Sequence, residues 1–201
     1  MKSSHSGIVE DKNAVRARVR ERILEINFST KNSISQQITK RFVESGFSND
    51  IKSLFIYVSL HSEVSTSDLI KIALQSDIKV FVPKMANGYM TAQQLMSVNQ
   101  LVPGKWGILE TNDDEPPACH IDLVITPGLA FTIEGTRLGK GAGYYDKWLS
   151  NNSYTTAVAL AYDEFILDKI PADIHDIQVD ALITEKRTIL CRTKRGAKSI
   201  R

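Results

Sequence analysis

Between Arg137 and Leu149 the chain reads RLGKGAGYYDKWL: Gly139, Gly141 and Gly143 alternate with Lys140 and Ala142, and Tyr144, Tyr145 and Asp146 follow without a break. Glycines at that density cost backbone entropy on folding, so the stretch must use its bare backbone for something. The chemistry such a loop serves is anion binding. Its amide N–H groups are free of side-chain cover, a helix N-terminus with its partial positive charge comes next, and Arg137 and Lys140 add mobile positive charge. A phosphate is the natural ligand. Asp146 adds a carboxylate of the kind that holds Mg²⁺, an ion that takes few protein oxygens and completes its shell with phosphates and water.

Spacing excludes two common phosphate motifs. A Walker loop continues from Gly-Lys into Ser or Thr, whereas Gly143 is followed by two tyrosines. A dinucleotide fingerprint reads G-x-G-x-x-G tight against a strand, whereas here the pattern is G-x-G-x-G, about a dozen residues beyond the strand. A hairpin or tight corner is the structural alternative for the glycines.

The elements that position this loop follow from hydrophobic periodicity. Val15, Val19, Ile23 and Ile26 form one stripe of a helix from Asp11 to about Phe28, with Lys12, Arg16, Arg18, Arg20 and Arg22 around the rest. A second helix carries Ile34, Ile38 and Phe42, with Ser33 as cap and Gly46 as stop. SLFIYVS (53–59) reads as a buried strand, Thr66 as the cap of a helix through Leu74, and IKVFVP (78–83) as a strand stopped by its proline. MTAQQLMSV (90–98) fits either strand or helix, and 101–117 reads as loop. IDLVITPG (121–128), TAVALAY (156–162), VDALITE (179–185) and TILC (188–191) supply further strands, and a helix opens at Tyr144. Strands that are apolar on both faces and alternate with helices predict an α/β fold. We expect three αβα layers, Rossmann-like, with a mostly parallel sheet covered by helices on both faces. Residues 1–10 read as a disordered lead, 11–192 as a single domain and 193–201 as a frayed basic tail.

Composition narrows the function classes. A net charge of +2 over 201 residues gives no basic field for nucleic acid. No apolar run approaches the ~18–20 residues of a membrane span. The two cysteines, Cys119 and Cys191, are far apart; Cys119 and the adjacent His120 would point to opposite faces of a strand, so packing is favoured over a metal site there. A reduced, cytoplasmic setting fits this cysteine usage.

ITPGLAFTIEGTRLGKGAGYYDKWL (125–149) resembles the signature of the 5-formyltetrahydrofolate cyclo-ligase (5,10-methenyltetrahydrofolate synthetase) family. KNAVR (12–16), YVSLHSEVST (57–66), WGILE (106–110) and IPADIHDIQVDALITE (170–185) resemble further family blocks, in family order across nearly the whole chain. Thr136 stands where the family pattern usually has Asn, and Phe165 where it commonly has Gln.

The resemblance implies a reaction that consumes MgATP to cyclise 5-formyltetrahydrofolate to 5,10-methenyltetrahydrofolate, with release of ADP and phosphate. The formyl oxygen is a poor leaving group until phosphorylated, so the transfer depends on positioning and charge neutralisation. It places the ATP phosphates on Arg137, Leu138, Gly139, Lys140, Gly141, Ala142, Gly143, Tyr144 and Tyr145, with Arg137, Lys140 and Tyr145 as the candidate catalytic residues. Lys12 and Arg16, four apart on one helix face, fold back over the triphosphate. Asp146 and Asp176 hold Mg²⁺, although a turn-capping role is the alternative for Asp176. Glu63 accepts from the donor edge of the pterin, Val58, Trp106 and Tyr144 line the folate pocket, and Lys84 steers an anionic polyglutamate tail. At least one of the two tyrosine rings packs in the core. A monomer is expected. Two rival readings are a non-catalytic nucleotide- or folate-binding regulator on the same fold, and a relative of sugar-phosphate isomerases or CoA-transferases, which would act without ATP.

Overall fold

A computed structural model describes residues 4–86, 88–104, 107, 109–111 and 120–191. In chain order the elements are α1 (Ser4–Glu25), α2 (Phe28–Glu44), β1 (Ser53–Ile56), α3 (Ser67–Leu74), β2 (Lys79–Ala86), β3 (Tyr89–Leu95), β4 (Leu101–Pro103), β5 (Leu109–Thr111), β6 (His120–Thr126), β7 (Ala130–Phe131), β8 (Arg137–Leu138), α4 (Tyr144–Asn151), β9 (Ser153–Leu160), β10 (Ala181–Ile183) and β11 (Thr188–Leu190).

Seven strands form one sheet in the order β11-β10-β9-β6-β1-β2-β3. Its five inner strands are parallel, and β3 and β11 run antiparallel at the edges. Successive strand residues point to opposite faces, and that alternation divides the core in two. Leu54, Ile56, Val80, Leu123 and Ile125 pack with Val19, Ile38 and Leu69 from α1, α2 and α3. Phe55, Phe81 and Val124 face the other way, onto Trp148 and Leu149 of α4. Phe55 is fully buried, its ring 4.6 Å from that of Trp148. The result is the mostly parallel, three-layer α/β fold expected from the buried apolar strands.

Local features depart from the sequence pattern for identifiable reasons. The cap of α2 is Asn27, whose Oδ1 accepts from Thr30 N at 2.9 Å, while Ser33 lies inside the helix. Exposed Phe28 therefore opens α2 and does not close α1. Gly46 adopts φ +78° just beyond the helix. Helix α1 extends back to Ser4, over much of the stretch expected to be disordered. Thr66 sits at the α3 start, but its hydroxyl donates to Tyr57 O at 2.7 Å and fastens α3 to the end of β1. Pro83 does not stop β2: β1 pairs with that strand only through Phe81, so the missing proline N–H falls where no β1 partner needs it. The ambiguous segment at Met90 is strand β3, and the 101–117 region contains the β4–β5 hairpin. Residues 192–201, including the predicted tail, lie outside the described residues, as does Cys119.

Candidate active site

Strand order reverses its direction of growth between β1 and β6: β2 lies on one side of β1, and β6, β9 and β10 follow on the other. At such a switch point the loops leaving adjacent strands diverge and open a crevice at their carboxyl ends. A cavity of about 480 Å³ occupies that crevice. Tyr57 and Val58 enter it from the end of β1, and Pro127 and Gly128 from the end of β6. Met85 and Met90 form an apolar wall, and the glycine loop completes the lining.

The loop is delivered by the short β7–β8 hairpin, in which Phe131 pairs with Arg137. Its turn passes through Gly135 at φ +87°, where a Cβ would lie 2.3 Å from Val179 O. Only glycine lets the hairpin lie against that backbone. Arg137 emerges with a side chain only 3% exposed; Nη1 donates to Pro127 O at 3.2 Å and Nη2 ion-pairs with Asp146 Oδ1 at 2.7 Å. Its Nε is buried and meets no hydrogen-bond partner among the described residues. The sequence pattern suggested a mobile cation. The structure instead has a fixed one, because a desolvated guanidinium must be held by partners on several sides. Leu138, expected on the phosphate cradle, is a core residue at 1% exposure, with its carbonyl accepting from Leu129 N. Gly143, at φ +68°, caps α4, and Asp146 lies in the first turn of that helix.

Helix α1 lies across the loop. Arg16 Nε donates to Gly139 O at 2.9 Å, and Arg20 one turn later donates to Lys140 O at 2.9 Å. Lys12, 8% exposed, ion-pairs with Asp176 Oδ2 at 2.5 Å. Burial and the charge of Arg20 push the Arg16 guanidinium below its ordinary pKa, with Asp176 opposing. Arg16 and Arg20 thus bond the loop that carries Arg137 and Lys140, with Lys12 one turn before Arg16 paired to Asp176, and the Arg16–Arg20 repulsion is of the kind an anion relieves.

Across the cavity, Glu63 is held by its neighbours. Leu60 N donates to Oε2 at 2.7 Å, and Lys140 Nζ lies 2.7 Å from Oε1. The Tyr145 ring stacks on Phe55 at 6.0 Å, and the Arg137 guanidinium sits 5.9 Å over its face. Its hydroxyl is buried with no hydrogen-bond partner among the described residues. Burial, reinforced by the Glu63 charge and opposed by Arg137, raises the Tyr145 phenol well above its ordinary pKa. At neutral pH it is therefore an O–H donor. Burial, reinforced by Glu63, Tyr145 and Tyr162, likewise raises the Tyr57 phenol, which donates to Val64 O at 2.9 Å.

Asp146 and Asp176 meet at one turn: Asp146 Oδ1 accepts from Ile177 N at 3.2 Å, and Asp176 Oδ2 accepts from Asp173 N at 2.7 Å. Asp176 is therefore a turn-bonding carboxylate as well as a neighbour of the site. Among the described residues no cluster of three or more His, Cys, Asp or Glu is arranged as a metal site. Two hard carboxylates suit an ion such as Mg²⁺, which takes its remaining ligands from phosphate and water.

The structure thus brings together Lys12, Arg16, Glu63, Val58, Arg137 and its loop, Tyr144, Tyr145, Asp146 and Asp176. Trp106 lies outside the described residues. Sequence reasoning missed Arg20, read as part of a solvated face, although its spacing of four from Arg16 was the available signal. It also missed Met85 and Met90, which only the β2–β3 register places beside the loop. Among the described residues no helix is long and apolar enough to cross a membrane.

Residues 8–185 match the 5-formyltetrahydrofolate cyclo-ligase family. The mitochondrial 5-formyltetrahydrofolate cyclo-ligase of Arabidopsis thaliana is 33% identical, over 88% of this chain and 75% of its own. The Mus musculus 5-formyltetrahydrofolate cyclo-ligase is 28% identical over 87% and 93% respectively. The solution structure of Aquifex aeolicus 5,10-methenyltetrahydrofolate synthetase superposes with a TM-score of 0.82 at 26% identity, covering 94% of this chain and 97% of that one. The fold is shared with a 5,10-methenyltetrahydrofolate synthetase from Mycoplasma pneumoniae at a TM-score of 0.68, 22% identity and coverage of 87% and 99%. The chain is a member of the 5-formyltetrahydrofolate cyclo-ligase family.

Proposed function

We propose that this protein catalyses the ATP- and Mg²⁺-dependent cyclisation of 5-formyltetrahydrofolate to 5,10-methenyltetrahydrofolate, releasing ADP and phosphate. One observation carries the reading beyond family membership: Arg16 and Arg20 bond the carbonyls of a glycine loop that lines a largely apolar cavity, and a held carboxylate, Glu63, lines the same cavity. That arrangement suits a triphosphate and a pterin bound face to face. Lys12, Arg16, Arg137 and Lys140 neutralise the phosphates, aided by loop N–H groups and the α4 N-terminus. Asp146 and Asp176 would hold Mg²⁺, which supplies charge neutralisation between the phosphates. Lys12 then has phosphate oxygens to replace the carboxylate it pairs with here, while Arg137 keeps its place beside Asp146.

Glu63 orients the pterin through its donor edge, and Val58, Met85 and Met90 exclude water from the reacting groups. Held so, the formyl oxygen attacks the γ-phosphorus and the bond to the ADP oxygen breaks. N10 then attacks the activated formyl carbon, its proton leaves to solvent, and the carbon–oxygen bond to phosphate breaks to give the methenyl cation. The Tyr145 O–H, kept protonated by burial, is a donor for the charge that develops on the transferred group. A cytoplasmic location, a monomeric state and acceptance of polyglutamylated folate belong to the same proposal.

The test is the ultraviolet absorbance of the methenyl product with 5-formyltetrahydrofolate as substrate. We expect the chromophore to appear only with both ATP and Mg²⁺, at one ADP per product. Formation at the same rate without ATP would overturn the reading in favour of an ATP-independent transferase or isomerase.

A further inference from the structure

Lys140 belongs to the glycine loop, yet its side chain leaves the loop and reaches Glu63, where Nζ lies 2.7 Å from Oε1. The two ends of this contact differ in freedom. The Glu63 side chain is 8% exposed and its other oxygen is fixed by Leu60 N at 2.7 Å, whereas the Lys140 side chain is 36% exposed. The main chain of Lys140 is held separately, its carbonyl accepting from Arg20, between Gly139 and Gly141. The ammonium can therefore swing on its four-carbon stem while the loop stays in place. Both residues line the same cavity.

We propose that Lys140 couples the nucleotide and folate sites. With the loop free of anion it caps Glu63 and competes with the pterin for the carboxylate. A triphosphate in the loop carries more negative charge than Glu63, draws the ammonium away and exposes Oε1 to the pterin. This inference rests on the proposed function and adds a positive coupling between its two sites. By linkage, folate must tighten nucleotide binding by the same factor.

Titration calorimetry with a non-hydrolysable ATP analogue plus Mg²⁺, and with 5-formyltetrahydrofolate, tests this. Each ligand is titrated alone and against saturating amounts of the other, in the wild type, Lys140→Met and Lys140→Arg. In the wild type we expect the analogue to tighten folate binding roughly tenfold, within the usual range of coupling between sites. In Lys140→Met the factor should fall below about twofold, with folate binding the free protein as tightly as it binds the nucleotide-loaded wild type. Lys140→Arg, which keeps the charge, should retain the coupling, as a purely structural role for the lysine would not require. Equal coupling in the wild type and Lys140→Met, with both ligands bound, would overturn the inference and leave the enzyme assignment intact. Failure of the wild type to bind either ligand would overturn the assignment, and the coupling with it.

Discussion

Arg137→Met lowers kcat/KM for MgATP by roughly 10³-fold, in the range seen when a preorganised charge is removed from a phosphoryl-transfer site. The side chain is 3% exposed, held by Pro127 O and Asp146, and its Nε has no hydrogen-bond partner among the described residues. A buried cation with a spare donor beside the proposed phosphate loop is organised before the ligand arrives, so its stabilisation of transferred charge costs little rearrangement. Methionine preserves the packing of the aliphatic stem. It leaves Asp146 without its ion-pair partner, and about 1–3 kcal/mol of stability should be lost in chemical unfolding. Steady-state kinetics on the folded variant check the claim: the KM for folate should stay within about threefold of the wild type. Turnover within tenfold of the wild type would remove Arg137 from the phosphate site.

Glu63→Gln weakens 5-formyltetrahydrofolate binding by roughly 100-fold, which is about 2.7 kcal/mol. The replacement is isosteric but loses the charge that makes Oε1 and Oε2 strong acceptors, and truncating one partner of a buried charged pair costs about 2–5 kcal/mol. Affinity for the nucleotide analogue should be unchanged or tighter, because Lys140 is released toward the loop. Calorimetry with each ligand alone measures both. Weakened nucleotide binding with intact folate binding would reverse the roles assigned to the two ends of the cavity.

Signals that are local in sequence were legible. The apolar runs at Leu54 and Leu123 became adjacent parallel strands, paired Leu54 to Leu123. The glycine pattern marked a turn into α4 because the need for bare backbone is a local need, met at Gly143 by φ +68°; its use as an anion loop belongs to the proposed function. The α2 cap was misplaced because Ser33 and Asn27 are both good caps, and only the break after Glu25 decides between them.

The partners in the site were less legible, since each contact joins residues that the topology alone brings together. Lys12 meets Asp176, Lys140 meets Glu63, and Arg137 meets both Pro127 and Asp146. Sequence supplies the sign of these charges and the family pattern supplies their candidates. Neither says that Arg137 is buried and fixed, that Lys140 reaches across the cavity, or that Leu138 in the middle of the motif turns into the core.

The central claim is that the formyl oxygen is phosphorylated and leaves as phosphate. It is tested most directly with 5-formyltetrahydrofolate carrying ¹⁸O in the formyl group, by mass spectrometry of the inorganic phosphate released in unlabelled water. The account predicts one labelled oxygen in the phosphate for each methenyl product formed. Unlabelled phosphate, with the ¹⁸O recovered in water, would contradict it.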